Sequence, residues 1–158
     1  MARSTPAVVA AQRAEIAFTV HEYEHADGAA YGVEAVERLG LDPTRVFKTL
    51  IASAGERALV VGVVPVAASL DLRALGAAVG SKRVDMADPR DAERVTGYVL
   101  GGISPLGQRK QLPTVIDASA EQFQTVFVSA GRRGLEIELA PTDLVALTRA
   151  TVAPIARL

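Results

Sequence analysis

The chain has 158 residues, 49% of them hydrophobic, enough to bury one sizeable core and too few to expect two. Its 17 basic and 18 acidic side chains nearly cancel, leaving a formal charge of -1, so it lacks the whole-domain basicity of a strong autonomous nucleic-acid binder. It has no cysteine and therefore no disulfide, thiolate metal site or thiol nucleophile of its own, and with aromatics at 4% its core must be built from Val, Leu, Ile and Ala.

Ser4-Thr5-Pro6 reads as a helix start, a capping hydroxyl followed by a proline preset for the first turn, ahead of the apolar-rich Ala7 to Ile16. Phe18 to Tyr23 alternates as a half-buried strand does, with Phe18 and Val20 on one face and Thr19, His21 and Tyr23 on the other. Val33 to Leu39 reads as a short helix closed by Gly40, and the turn Leu41-Asp42-Pro43 leads into a β-rich run, Val46 to Ile51, interrupted by Lys48. A hairpin through Ser53-Ala54-Gly55-Glu56 joins it to a second strand, Ala58 to Val64, which Pro65 stops. Asp71 to Val79 is a helix ending at Gly80, and Asp88-Pro89 opens another. Val95 to Leu100, Thr114 to Ile116, Thr125 to Val128 and Leu135 to Leu139 read as short strands, Pro141 opens a last helix running to about Thr148, and the final residues are expected to fray.

The opening Met-Ala-Arg-Ser-Thr-Pro lacks a signal-peptide apolar stretch, and no segment approaches the roughly 20 apolar residues of a membrane span. The expectation is a cytoplasmic protein with no membrane partner. The absence of repeats, low-complexity tracts or linkers predicts one domain over residues 1–158, a mixed α/β fold built round a curved sheet flanked by helices.

Several chemistries lack their residues. The only histidines are His21 and His25, the first on a predicted strand, so neither a helical two-histidine metal site nor a Ser-His-Asp relay has material. Gly76, Gly80, Gly101, Gly102 and Gly107 fit no Walker or Rossmann spacing. Two features remain. Lys48, on the strand face of Val46 and Leu50, is either an edge-strand cation that blocks aggregation or an ammonium that steers an ester or phosphate. The turn Gly101-Gly102-Ile103-Ser104-Pro105-Leu106-Gly107 either lets the chain reverse or presents free amides to a carbonyl and its developing oxyanion. A second turn, Val128 to Gly134, adds Arg132 and Arg133, suited either to a solvated loop or to phosphate.

Three stretches carry a resemblance: Phe47-Lys48-Thr49-Leu50, the run from Thr96 through Gly101-Gly102-Ile103-Ser104-Pro105-Leu106-Gly107, and Val128 to Glu136. Together, and in order over nearly the whole chain, they resemble the YbaK/EbsC family of aminoacyl-tRNA deacylases, similar to the editing insertion domain of bacterial prolyl-tRNA synthetases. The resemblance is nearest to stand-alone members that clear cysteine mischarged on proline tRNA. It implies a barrel-like mixed sheet and a pocket beside Gly101. Lys48, Gly101 and Ser104 would be catalytic, and Tyr23, Phe47, Gly102, Ile103, Pro105, Ser129, Gly131, Arg132 and Glu136 would bind substrate. It implies no cofactor and no metal. The partners would be the 3′ end of mischarged tRNA(Pro) and, transiently, prolyl-tRNA synthetase, with no DNA. The sequence departs from the family at Glu136, where an aspartate is frequent.

A chain without a nucleophile suits a substrate that supplies one, and a cysteinyl ester can close a thiolactone on its own carbonyl. Two other readings are open: a deacylase for Ala-tRNA(Pro) or another small misacylated residue that uses water, and a non-catalytic module that binds a nucleotide or the tRNA terminus.

Overall fold

Capping signals set the helix starts in the computed structural model, which describes residues 4–26, 31–55 and 58–158. Thr5 Oγ1 accepts the Val8 amide at 3.2 Å and Pro6 sits in the first turn of α1 (Pro6–Arg13), which stops before Ile16. α2 (Tyr31–Leu39) follows, then α3 (Leu72–Val79), whose cap Asp71 accepts the Ala74 amide at 3.1 Å. Asp88 accepts the Arg90 amide at 2.8 Å to open α4 (Pro89–Thr96), and α5 (Pro141–Thr148) comes last.

The strands are β1 (Phe18–Glu22), β2 (Phe47–Ala54), β3 (Leu59–Pro65), β4 (Ser69–Leu70), β5 (Val84–Met86), β6 (Thr114–Asp117), β7 (Val126–Arg132), β8 (Leu135–Leu139), β9 (Thr151–Ala153) and β10 (Ala156–Arg157). They form a three-stranded antiparallel sheet in the order β1-β8-β7, a five-stranded mixed sheet in the order β5-β2-β3-β6-β9, and a small β10-β4 pair. In the mixed sheet β6 runs parallel to both β3 and β9. The α/β class and the mixed sheet match expectation, but among the described residues the sheets do not close into a barrel. They meet where Val46 bridges Phe127, with the Phe127 amide donating to the Arg45 carbonyl at 3.2 Å. β2 and β3 pair as the anticipated hairpin requires, though Glu56 lies outside the described residues.

The register bears out the face assignment of β1. Phe18 and Val20 pair with Leu139 and Ile137, while Thr19 and His21 pair with Glu138 and Glu136. Leu135, Ile137 and Leu139 are fully buried, in one core cluster with Phe47, Ile51, Val61 and Val63. The opposite face of the mixed sheet packs Val60, Val64 and Val115 against Leu75 of α3 and Ile155 of the tail.

Two expectations are corrected. Val95 to Leu100 is not a strand: Val95 and Thr96 end α4, Gly97 takes the left-handed conformation at φ 82°, and the Gly102 amide closes a turn on the Val99 carbonyl at 2.8 Å. The cap-then-proline start propagates a helix with Ala92 and Thr96 buried one turn apart, and that outweighs the β propensity of the run. The C-terminal residues are ordered, because β9 extends the mixed sheet and the buried Asp117 carboxylate accepts the amides of Ile155 and Ala156, each at 2.9 Å.

Burial alone would raise the Asp117 pKa, but the hydrogen bonds from Ser119, Ile155 and Ala156 outweigh it and hold the carboxyl below its ordinary range. A folded pKa below the unfolded one gives stability that is present above the ordinary carboxylate pKa of about 4 and is lost as pH falls through the folded value. Asp117→Ala, which orphans those amides, is expected to cost about 3 kcal/mol in urea unfolding at pH 7. The difference from wild type should shrink on acidification below about pH 4.

Candidate functional site

β2 enters the molecule beside β7 and leaves it. Arg45 ties the junction: its Nε donates to the Thr125 carbonyl at 2.7 Å, its Nη2 to Glu138 at 3.1 Å, and its guanidinium lies 5.0 Å from the centre of the Phe127 ring. Past the Val46–Phe127 bridge no ladder joins the two strands, and a cavity of about 340 Å³ is lined by β2 on one wall and by Ser129 of β7 and Glu136 of β8 on another. Gly32 and Val33 of α2, Val66, Tyr23, and Leu100, Gly101 and Ile103 of the glycine turn complete it.

Lys48 is half-buried, and desolvation by burial lowers its pKa. Glu136 is 6% exposed, and among the described residues its carboxyl meets no hydrogen-bond or ion-pair partner. Burial pushes its pKa up to about 8, so at neutral pH it is largely a neutral acid able to donate a hydrogen bond. Tyr23 is held in place by its amide, which donates to the Gly134 carbonyl at 2.9 Å. Its phenol pKa is raised by burial, against the lowering effect of Gly134, and the nearby Glu136 and Glu34 carboxylates add to the rise.

The glycine turn is held from three sides. The Leu100 amide donates to Glu93 Oε2 at 2.8 Å, Arg133 Nη2 donates to the Leu100 carbonyl at 3.1 Å, and the Tyr98 hydroxyl donates to the Leu106 carbonyl at 2.6 Å. Gly101 turns at φ 88°. A Cβ on Gly102 would sit 2.7 Å from the Arg132 Cα, so only glycine lets this turn lie against the β7–β8 connection. With the Gly102 amide used inside the turn, the donors left to the cavity rim are the Gly101 and Ile103 amides.

Of the residues expected at the site, the fold gathers Tyr23, Phe47, Lys48, Gly101, Ile103, Ser129 and Glu136 round one cavity. The others stand behind it. Ser104 is fully buried, with its hydroxyl accepting the Leu106 amide at 3.1 Å, and Pro105 lines a separate small pocket with Gly107 and Gln108. Gly131, at φ 109° in the β7 bulge, leaves room for Thr5 and the Tyr98 ring, and Arg132 Nη1 donates to the Arg133 carbonyl at 3.2 Å. Gly32, Val33, Thr49, Leu50, Val66 and Leu100 were not foreseen. Thr49 and Leu50 lie in the run beside Lys48 and were within reach of the sequence, but α2 belongs to a segment distant in the chain. It is anchored by the buried Glu34, which accepts from His25 Nδ1 at 2.6 Å and from the Ala26 amide at 2.7 Å.

The chain is similar to known proteins over most of its length. A family model described as an aminoacyl-tRNA editing domain matches residues 25–147. A protein of Enterococcus faecalis provisionally named Cys-tRNA(Pro)/Cys-tRNA(Cys) deacylase EbsC is 36% identical over 153 residues, 97% of this chain and 93% of that protein. A crystal structure described as a trans-editing enzyme for prolyl tRNA synthetase superposes with a TM-score of 0.85 at 24% identity, covering 98% of this chain and 99% of the other. A crystal structure of a protein described only as hypothetical gives 0.87 at 22% identity, covering 97% and 100%. At these identities the two structures speak for the fold alone.

The buried Glu136 gives a pH test of the cavity. Because its folded pKa is raised, the neutral carboxyl contributes stability that is present below the unfolded value of about 4.3 and is lost as pH rises through about 8. Glu136→Gln, which cannot ionise, should therefore melt above wild type at pH 8.5, with the gap narrowing towards pH 4.5. Parallel thermal unfolding of the two proteins across that range measures it.

Proposed function

The chain belongs to the aminoacyl-tRNA editing domain family and is an aminoacyl-tRNA deacylase, and we propose that it acts in trans on Cys-tRNA(Pro) with the substrate's own thiol as nucleophile. One observation favours the substrate's thiol as nucleophile: no hydroxyl lining the cavity is hydrogen-bonded to a base among the described residues. The protein has no cysteine, neither histidine lines the cavity, and Ser129 Oγ accepts the Gly131 amide at 3.2 Å with no base hydrogen-bonded to it among the described residues. A volume of about 340 Å³ lies near the lower end of ligand sites, roughly 300–1,000 Å³, and suits a small aminoacyl group with its ribose.

In this reading the cysteinyl sulfur attacks its ester carbonyl carbon. The bond to the ribose 3′ oxygen breaks, the thiol proton ends on that oxygen, and tRNA leaves with a free terminus. The cyclic thioester is later opened by water. Fixed orientation of thiol and ester supplies most of the gain. The Gly101 and Ile103 amides receive the developing oxyanion, Lys48 holds a terminal phosphate, and Tyr23, Phe47 and Glu136 enclose the amino acid, with Glu136 facing its amino group. Ser104, Gly102, Pro105, Gly131 and Arg132 support this arrangement from behind, keeping the turn and the bulge in shape.

A formal charge of -1 leaves little general attraction for RNA, so the choice of tRNA(Pro) falls to a transient complex with prolyl-tRNA synthetase. Residues 1–158 act as one editing domain in the cytoplasm. No helix among the described residues is long and apolar enough to cross a membrane.

The test is release of labelled amino acid from Cys-tRNA(Pro), from the same substrate with its thiol alkylated, and from Ala-tRNA(Pro). Fast release from the free-thiol substrate alone is expected. Equal release from the alkylated substrate, or preference for alanine, would replace the thiol with water, and binding without release would leave a non-catalytic module. Lys48→Ala should keep its fold by circular dichroism and lose about 100-fold or more in kcat/KM. Unchanged turnover would remove Lys48 from the mechanism.

A further inference from the structure

One polar atom in the cavity has no role in the scheme above. Thr49 lines the cavity, and its Oγ1 is shut off from solvent with no hydrogen-bond partner among the described residues. Leaving a buried hydroxyl unpaired is costly in a folded protein, and such atoms are few. A valine has nearly the same shape and would carry no such penalty. An orphaned hydroxyl on a residue that lines a cavity is explained if rotation about χ1 brings it to a ligand there.

The main chain beside it is open as well. In an antiparallel pair, hydrogen bonding to one neighbour alternates along the strand. The even-numbered residues of β2 face β3, as shown by the Val66 amide on the Val46 carbonyl and the Ala54 amide on the Ala58 carbonyl, each at 2.7 Å. The odd-numbered residues therefore turn their main-chain groups to the other edge, where the Ala87 amide reaches the Ile51 carbonyl at 3.1 Å. β5 covers that edge only from Ala52 to Ala54, and β7 touches it only at the Val46 bridge. Between them, at Thr49, no described strand covers the edge, and the cavity lies there.

The site thus offers a hydroxyl beside an open amide and carbonyl, all uncharged, next in sequence to the Lys48 ammonium. A second ammonium would be repelled there, and a phosphate would go to Lys48 itself. A neutral group that both donates and accepts fits best. An aminoacyl ester of RNA carries one next to its reacting bond, the ribose hydroxyl left free when its neighbour is esterified. We propose that Thr49 is a substrate-binding residue whose hydroxyl, with the uncovered edge of β2, holds the free 2′-hydroxyl of the terminal ribose. This rests on the deacylase reading and places the ester against the Gly101 turn.

The experiment compares wild type, Thr49→Val and Thr49→Ser on Cys-tRNA(Pro) ending in adenosine or in 2′-deoxyadenosine, with thermal unfolding alongside. Thr49→Val should melt at or above the wild-type temperature and yet lose about tenfold in kcat/KM, and Thr49→Ser should recover most of it. The deoxy substrate should cost wild type about tenfold, and Thr49→Val clearly less, since the partner is already gone. Equal deoxy penalties in the two proteins, or a loss matched by a fall in melting temperature, would overturn the assignment. If wild type releases no amino acid from the all-ribose substrate, the deacylase reading fails. Thr49 is then judged by binding of an uncharged RNA hairpin ending in CCA: a deoxy penalty that Thr49→Val abolishes supports it, and identical affinities of the two ends for wild type refute it.

Discussion

One strand pairing that is made and then abandoned organises this molecule. β2 meets β7 at Val46 and Phe127, where Arg45 clamps Thr125 and Glu138 across the junction, and beyond that bridge the two strands run on without bonding. Had the ladder continued, the sheets would have fused and left no space between them. Because it stops, Phe47 to Leu50 on one side and Ser129 and Glu136 on the other are held apart by rigid elements, and the gap is closed at its rim by the Gly101 turn and the start of α2. The turn can reach that position only because Gly102 lets it touch the β7–β8 connection and Gly131 lets Tyr98 tuck under the bulge.

The electrostatics follow from that gap. Lys48 and Glu136 line the same poorly solvated space, and desolvation moves both towards their neutral forms, down for the ammonium and up to about 8 for the carboxyl. A substrate bringing a phosphate to one and an amino group to the other would restore the charged forms and recover part of the cost of burying them. His25 is hydrogen-bonded to Glu34 and His21 to Glu138, and neither histidine lines the cavity. What the cavity provides is enclosure, donors and charge, which is what a reaction needs when its nucleophile arrives with the substrate.

Much of this was legible in the residues. The caps at Thr5 and Asp88, the helix beginning at Asp71 and the alternation of β1 are local signals, and the structure follows them, with Asp71 as the cap of its helix. Lys48 stands out as a cation in an apolar strand, and the glycine block as a turn whose role the family resemblance, not its composition, decides. The failures come from segments outside the stretch in question, whether adjacent or distant. The run from Val95 to Leu100 has strand composition, but a helix capped seven residues earlier in the chain, at Asp88, extends into it and Gly97 ends that helix. The C-terminus lacks an obvious pattern and is ordered by a carboxylate, Asp117, from another strand. Ser104 and Pro105 share the motif of Gly101, yet their side chains face inward, since a motif preserves the shape of a turn as much as its contacts. The open edge at Thr49 exists because β5 is short, and no feature of β2 itself reveals the length of its neighbour.

The gap between β2 and β8 is the proposed seat of the aminoacyl end. The most direct test is amide chemical-shift mapping with a non-hydrolysable analogue, 3′-cysteinylamino-3′-deoxyadenosine. Perturbations centred on Lys48, Thr49, Gly101, Ile103, Ser129 and Glu136 are predicted. Saturable shifts centred elsewhere, for instance round the separate pocket of Leu59, Arg94 and Lys110, would contradict it.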